Sequence, residues 1–140
     1  MRQILLFAAL AASLALLSGC ALSKTKADTA EDMTGKAAYQ KISAEEAYEM
    51  MASQEVVVVD VRTREEYDGG HIENAILVPN ESIGSKMPEA LPDKEATLLV
   101  YCRSGRRSKD AAQKLLALGY QSVYDFGGVI DWPYELVKEG

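Results

Sequence analysis

The sequence predicts an α/β domain: a central, mostly parallel five-stranded sheet with helices on both faces. Three observations carry this. Short apolar, β-branched runs alternate with helix-patterned segments from Tyr39 to the C-terminus, the pattern of strands joined by crossover helices. Two of the strand runs, Val56–Val61 and Thr97–Tyr101, are apolar nearly throughout, as strands covered on both faces are. The chain as a whole, at 140 residues with 48% hydrophobic and 26% charged, also has the length and composition of one ordinary globular domain.

Taken in order, Tyr39–Ile42 is a short, weak strand. Ser43 followed by Glu46 is a capping box, which starts a helix over 44–52. Val56–Val61 is a buried strand interrupted by one acid, Asp60. Thr63 and Glu66 form a second capping box for a short helix ending at Gly69-Gly70. Ala75–Val78 is a strand stopped by Pro79. Residues 81–90 fit either a helical turn or a loop. Thr97–Tyr101 is the fourth strand. A helix follows over 105–118, with Ala111, Ala112, Leu115, Leu116 and Leu118 on its apolar side and Gly119 closing it. Ser122–Phe126 is the fifth strand, and Gly127-Gly128 is expected to turn the chain into a last short helix over 129–137.

The first 38 residues are unlike the rest. Met1-Arg2-Gln3 is followed by an apolar run from Ile4 to Leu17 and then Leu17-Ser18-Gly19-Cys20. The run is short for a membrane span, which needs about 20 residues. A basic start, an apolar middle and small residues before a cut site describe an export signal over 1–19. The last four residues resemble the lipobox of bacterial lipoproteins. That resemblance implies cleavage between Gly19 and Cys20, lipid on Cys20, and an exported protein anchored at the periplasmic or extracytoplasmic face of a membrane. Residues 20–38 are small and polar with no apolar period, the composition of a flexible tether. The domain then occupies 39–140.

Removing residues 1–19 takes away one Arg and no acid, leaving 14 basic against 21 acidic residues, a net charge of −7. Such an acidic chain is a poor binder of nucleic acid. With Cys20 acylated, Cys102 is the one thiol left, so no intramolecular disulfide can form. One Cys and one His cannot supply a closed four-ligand metal set. No metal or other cofactor is expected.

Cys102 ends the fourth strand and opens Cys102-Arg103-Ser104-Gly105-Arg106-Arg107-Ser108, where a helix begins. In open α/β sheets ligands sit at the carboxyl ends of strands, and Asp60 lies at another such end. Gly105 permits a backbone turn in which successive N–H groups point inward. Ser104 and Ser108 supply hydroxyls. Arg103, Arg106 and Arg107 keep their charge at any ordinary pH. N–H groups, a helix N-terminus and cations all favour the thiolate, and the thiolate is the nucleophile. A small anion is the matching substrate. Asp60, an acid in a buried strand, needs a partner; hydrogen bonds to the site's edge, an ion pair with an Arg such as Arg62, or a cap on the helix at Thr63 would each provide one. His71, the sole His, stands in Gly70-His71-Ile72 at a turn, where a structural role is expected rather than that of a base. Trp132 and Tyr134 are expected to pack.

The stretch from about Tyr39 to Gly140 resembles a single-domain rhodanese. The resemblance is carried by Asp60-Val61-Arg62 with Glu66-Tyr67, Gly70-His71-Ile72, Asn74-Ala75, Val78-Pro79-Asn80, Tyr101 through Ser108, Leu118-Gly119-Tyr120, Gly127-Gly128 and Trp132. It implies a rhodanese-like fold and sulfur transfer. Cys102 would take the sulfane sulfur of thiosulfate or a similar anionic donor, become a persulfide, and pass the sulfur to cyanide or a thiol. The loop from Arg103 to Ser108 would bind substrate and persulfide, with Asp60 and Arg62 supporting it. Two alternatives stay open: a persulfide carrier or anion-binding module without turnover, and a phosphatase or arsenate reductase of the same fold. The latter enzymes place five residues between the Cys and an essential Arg. Here that position is Ser108, and Arg107 comes one step early.

Overall fold

A computed structural model describes residues 37–138. The signal segment over 1–19, Cys20 and the tether as far as residue 36 lie outside the described residues. The elements follow the order β1 (Gln40–Lys41), α1 (Ala44–Ser53), β2 (Val57–Asp60), α2 (Arg64–Asp68), β3 (Ile76–Leu77), β4 (Thr97–Cys102), α3 (Arg106–Ala117) and β5 (Ser122–Gly128), with single 3₁₀ turns at Asn80–Ser82 and Val129–Asp131. The five strands form one sheet in the order β1-β5-β4-β2-β3. Every strand pair is parallel. Among the described residues the one antiparallel contact is an isolated bridge between His71 and Val137.

Local chemistry explains where the helices start. Both capping boxes form: Ser43 Oγ accepts from the Glu46 N–H at 3.1 Å while Glu46 accepts from the Ser43 N–H at 2.7 Å, and Thr63 with Glu66 repeats the arrangement. Such caps contribute about 0.5–2 kcal/mol each. Alternation along β4 then sends its residues to two cores. Leu98, Val100 and Cys102 pack against Ala111, Ala112 and Leu115 of α3. Leu99 and Tyr101 point the other way, toward Ala47 of α1 and Tyr67 of α2. Helices therefore cover both faces, as the near-continuous apolar strands require.

Two segments differ from the sequence expectation. No helix runs over 129–137. β5 continues through Gly128, which is extended (φ −119°, ψ 145°). The 3₁₀ turn ends at Trp132, whose extended backbone (φ −76°, ψ 114°) precedes Pro133. Proline disfavours the helical conformation in the residue before it and has no N–H to continue a helix. The chain instead returns to pair Val137 with His71, through N–H···O bonds of 2.9 and 2.8 Å. Within residues 81–90, the helical turn is limited to the 3₁₀ piece beginning at Asn80.

Asp60 and Arg62 form a buried brace. Asp60 is 0% exposed. Its carboxylate accepts from Arg62 Nη2 at 2.6 Å, from Arg62 Nε at 3.0 Å and from the Tyr101 hydroxyl at 2.6 Å. Arg62 also donates to the Gly70 carbonyl at 2.7 Å, and the Tyr101 hydroxyl accepts the Ile72 N–H at 3.1 Å. The brace joins β2, β4 and the 70–72 turn. Removing one member leaves the other charge buried and unpaired. Asp60→Ala is expected to lower unfolding free energy by about 3–5 kcal/mol in urea titration; a loss within the range of an ordinary surface substitution would refute the brace.

Candidate functional site

The carboxyl ends of β4 and β5 and the start of α3 meet around Cys102. Cys102 is buried, 1% exposed, and among the described residues is a free cysteine. The chain leaves β4, turns through Arg103-Ser104, and enters α3 after Gly105, whose φ of +96° lies in the left-handed region that favours glycine. The Gly105 N–H reaches Sγ at 3.0 Å. Burial pushes the Cys102 thiol up, but hydrogen bonds from Ser108, Gly105 and Ser104 outweigh it, and the net shift is downward from the ordinary value. The start of a three-turn helix adds its positive end to the same place. This environment favours a nucleophilic sulfur anion.

β5 makes the turn possible. The β4–β5 register slips between Val100 and Tyr101: Val100 pairs with Asp125, but Tyr101 pairs with Gly127. The slip brings Gly128 beside Cys102. A Cβ on Gly128 would lie 2.3 Å from the Arg103 carbonyl oxygen and 2.6 Å from Ser104 Cα, so no other residue fits beneath the loop. The Arg103 carbonyl also accepts the Ile130 N–H at 3.2 Å.

The side chains singled out in the sequence take different positions. Ser108 is fully buried in the first turn of α3, with Oγ 3.7 Å from Sγ. Arg103, Ser104 and Arg106 are exposed. Arg107 turns toward α2, where Nη1 and Nη2 grip Glu66 at 2.7 and 2.8 Å; its guanidinium still lies within electrostatic reach of Cys102. Asp60 and Arg62 share the strand-end edge with Cys102 but occupy the opposite face of the sheet, behind Tyr101. His71 is buried, stacked on Tyr67 at 3.7 Å between ring centroids, with Nδ1 2.9 Å from the Tyr67 carbonyl oxygen. An imidazole nitrogen beside a carbonyl carries the hydrogen, so His71 is tied into that turn. Trp132 and Tyr134 join an aromatic cluster with Tyr48 and Phe126.

Two residues at the site escaped the sequence reading. Glu66 was legible as a cap, but its grip on Arg107 links positions 41 residues apart. Asp125 is buried under the loop, with Oδ1 2.7 Å from Ser108 Oγ and 2.9 Å from the Gly127 N–H. Its signal was available: an acid inside an apolar strand, the same anomaly that marked Asp60.

A model of the rhodanese-like domain family matches residues 43–133. The tRNA uridine(34) hydroxylase of Hamiltonella defensa subsp. Acyrthosiphon pisum is 36% identical over 113 residues, covering 76% of this chain and 32% of that protein. The chain thus spans about a third of the length of that curated relative. Among solved structures, an E. coli rhodanese with anions is 35% identical, with a TM-score of 0.55 over 61% of this chain and all of the other. A human single-domain sulfurtransferase is 28% identical, with a TM-score of 0.60 over 66% and 93% of the two chains.

The Glu66–Arg107 pair predicts a pH dependence. The Arg107 guanidinium, outweighing partial burial, together with the Thr63 cap holds the Glu66 carboxyl down from 4.5 to about 2. A depressed carboxyl stabilises the fold above its unfolded pKa, and that contribution disappears as pH falls through the folded value. Glu66→Gln should therefore be less stable than the parent near neutrality, and the gap in urea unfolding should close as pH falls from 4.5 toward 2. A gap independent of pH would contradict the pair.

Proposed function

The chain belongs to the family of rhodanese-like domains, and on that premise we propose that it is a thiosulfate-type sulfurtransferase working through a persulfide on Cys102. The observation that carries the reading is the loop around Sγ, which lowers the thiol's pKa through hydrogen bonds while leaving the sulfur at a strand end. The hydroxylase activity named for the curated relative belongs to a protein of which the match covers 32%; sulfur transfer is the reading that the shared domain supports.

In the first step the Cys102 thiolate attacks the outer sulfur of thiosulfate. The sulfur–sulfur bond of the donor breaks, its electron pair leaves with sulfite, and Cys102 becomes a persulfide anion. In the second step a thiolate or cyanide attacks the outer sulfur, and the Cys102 thiolate is released as leaving group. No proton or external oxidant is needed in either step, and the kinetics are ping-pong. Backbone N–H groups of the loop hold the negative sulfur throughout. Arg103 and Arg106, exposed on the loop, are the cations available to attract the sulfonate portion of the donor. Arg107, gripped by Glu66, contributes positive potential from a fixed position. Asp60 and Arg62 act from behind, by holding the end of β4.

Incubation of the full chain with thiosulfate should add one sulfur to Cys102 and release an equivalent of sulfite. Cyanide should then discharge it with repeated turnover. Cys102→Ser should do neither. A folded protein that gains no sulfur refutes sulfur transfer, and loading without turnover favours the carrier reading.

We also propose that Cys20 is lipidated after cleavage at Gly19, which would tether the domain to a membrane on the exported side. The support is the Leu17-Ser18-Gly19-Cys20 sequence behind an apolar run. Cys20→Ala should move the protein out of the membrane fraction and abolish acylation; an unchanged membrane fraction would refute the anchor.

A further inference from the structure

Asp125 is a buried carboxylate that the sulfur-transfer steps do not use. It is 1% exposed and held from three sides. The Tyr39 hydroxyl donates to Oδ2 at 2.6 Å, the Gly127 N–H donates to Oδ1 at 2.9 Å, and Lys41 Nζ lies 3.4 Å from Oδ1. The fourth neighbour is the Ser108 hydroxyl, 2.7 Å from Oδ1.

Ser108 Oγ carries one hydrogen, yet its neighbours are all able to accept it. They are Asp125 Oδ1 at 2.7 Å, the Gly105 carbonyl at 3.1 Å, the Gly127 carbonyl at 3.2 Å and Cys102 Sγ at 3.7 Å. One hydrogen serves one strong bond. The carboxylate is both the closest and the charged acceptor, and charge-assisted bonds are about twice as strong as neutral ones. Aimed at Sγ, the hydroxyl would lower the thiol's pKa along with the Ser108 backbone N–H; with its hydrogen on Asp125, 2.7 Å away against 3.7 Å to Sγ, Ser108 turns a lone pair toward the sulfur instead. That lone pair can accept from a thiol S–H and disfavours a bare thiolate.

We propose that Asp125 is a positioning residue that acts through Ser108, holding the hydroxyl's hydrogen off the sulfur so that the hydroxyl takes no share in carrying the Cys102 anion. This rests on Cys102 being the nucleophile of the proposed function. Its consequence is a more basic sulfur than the loop by itself would make. Thiolate nucleophilicity falls as thiol pKa falls, so the arrangement keeps the sulfur reactive while the loop keeps it ionised. Lys41 on β1, half exposed, sets how much of the Asp125 charge the site feels. The other charged groups are disposed so that they do not substitute for Asp125. Arg107 approaches from α3 with Glu66 of α2 attached to it. Asp60 and Arg62 sit across the sheet.

The test is the pH dependence of Cys102 alkylation by iodoacetamide in the full chain, with the adduct located on Cys102 by peptide mass. It uses no sulfur donor, so it is independent of whether thiosulfate is the substrate. Asp125→Asn should lower the midpoint by about half a pH unit or more and slow the high-pH plateau. In a Ser108→Ala background the same change should have less than half that effect. An unchanged or raised midpoint overturns the proposal, as does an equal shift without the hydroxyl. If Asp125→Asn does not fold, Lys41→Gln decides: removing the exposed ammonium should raise the midpoint, and no change or a fall overturns it.

Discussion

A side chain on Gly128 would collide with the backbone of Arg103 and Ser104, and much of the site follows from the absence of that side chain. The loop after β4 lies directly on the end of β5. From there it can curl back over Cys102, present the Gly105 N–H to Sγ at 3.0 Å, and enter α3 with the helix start aimed at the sulfur. A loop held farther from β5 would leave those N–H groups pointing at solvent. The thiol would then be a buried cysteine among apolar neighbours, where burial alone pushes its pKa up.

The strand that delivers Cys102 is fixed from its other face. Alternation places Tyr101 opposite to Cys102, and the Tyr101 hydroxyl is held by Asp60, itself locked to Arg62. The costly charges lie one sheet thickness away from the reacting sulfur, where they hold the strand end rigid without adding a negative charge beside the thiolate. On the chemical face the arrangement is balanced. Arg107 and the loop N–H groups favour the anion. Asp125, through Ser108, draws the other way. In the proposed sulfur transfer, where the same sulfur attacks a donor and later leaves from a persulfide, a basicity set between those limits would serve both steps.

Glu66 shows how one residue can be legible and illegible at once. Its spacing from Thr63 announces a capping box, and the cap forms. The same carboxylate also grips Arg107 across 41 residues, which spacing along the chain does not announce. Arg107 looked equivalent to Arg103 and Arg106 for the same reason. A run of arginines in a loop states how much charge is present, but the direction of each side chain depends on what α2 brings opposite it. The tail gave the reverse lesson. A short helix over 129–137 was expected after the Gly127-Gly128 turn, yet Pro133 and the pairing of Val137 with His71 made it an irregular cover.

The sequence by itself determined the α/β class, the positions of the five strands, both capping boxes and the loop that begins at Cys102. These depend on residues within a few positions of one another, where periodicity, caps and turn chemistry act. Only the tertiary structure decided which groups surround the sulfur. Ser108 meets Asp125 across 17 residues, and Asp60 meets Tyr101 across 41. Those pairings follow from strand order and from a one-residue slip between β4 and β5. The physical reason is that a buried charge takes its partner from whichever element is packed against it, and packing is a property of the whole sheet.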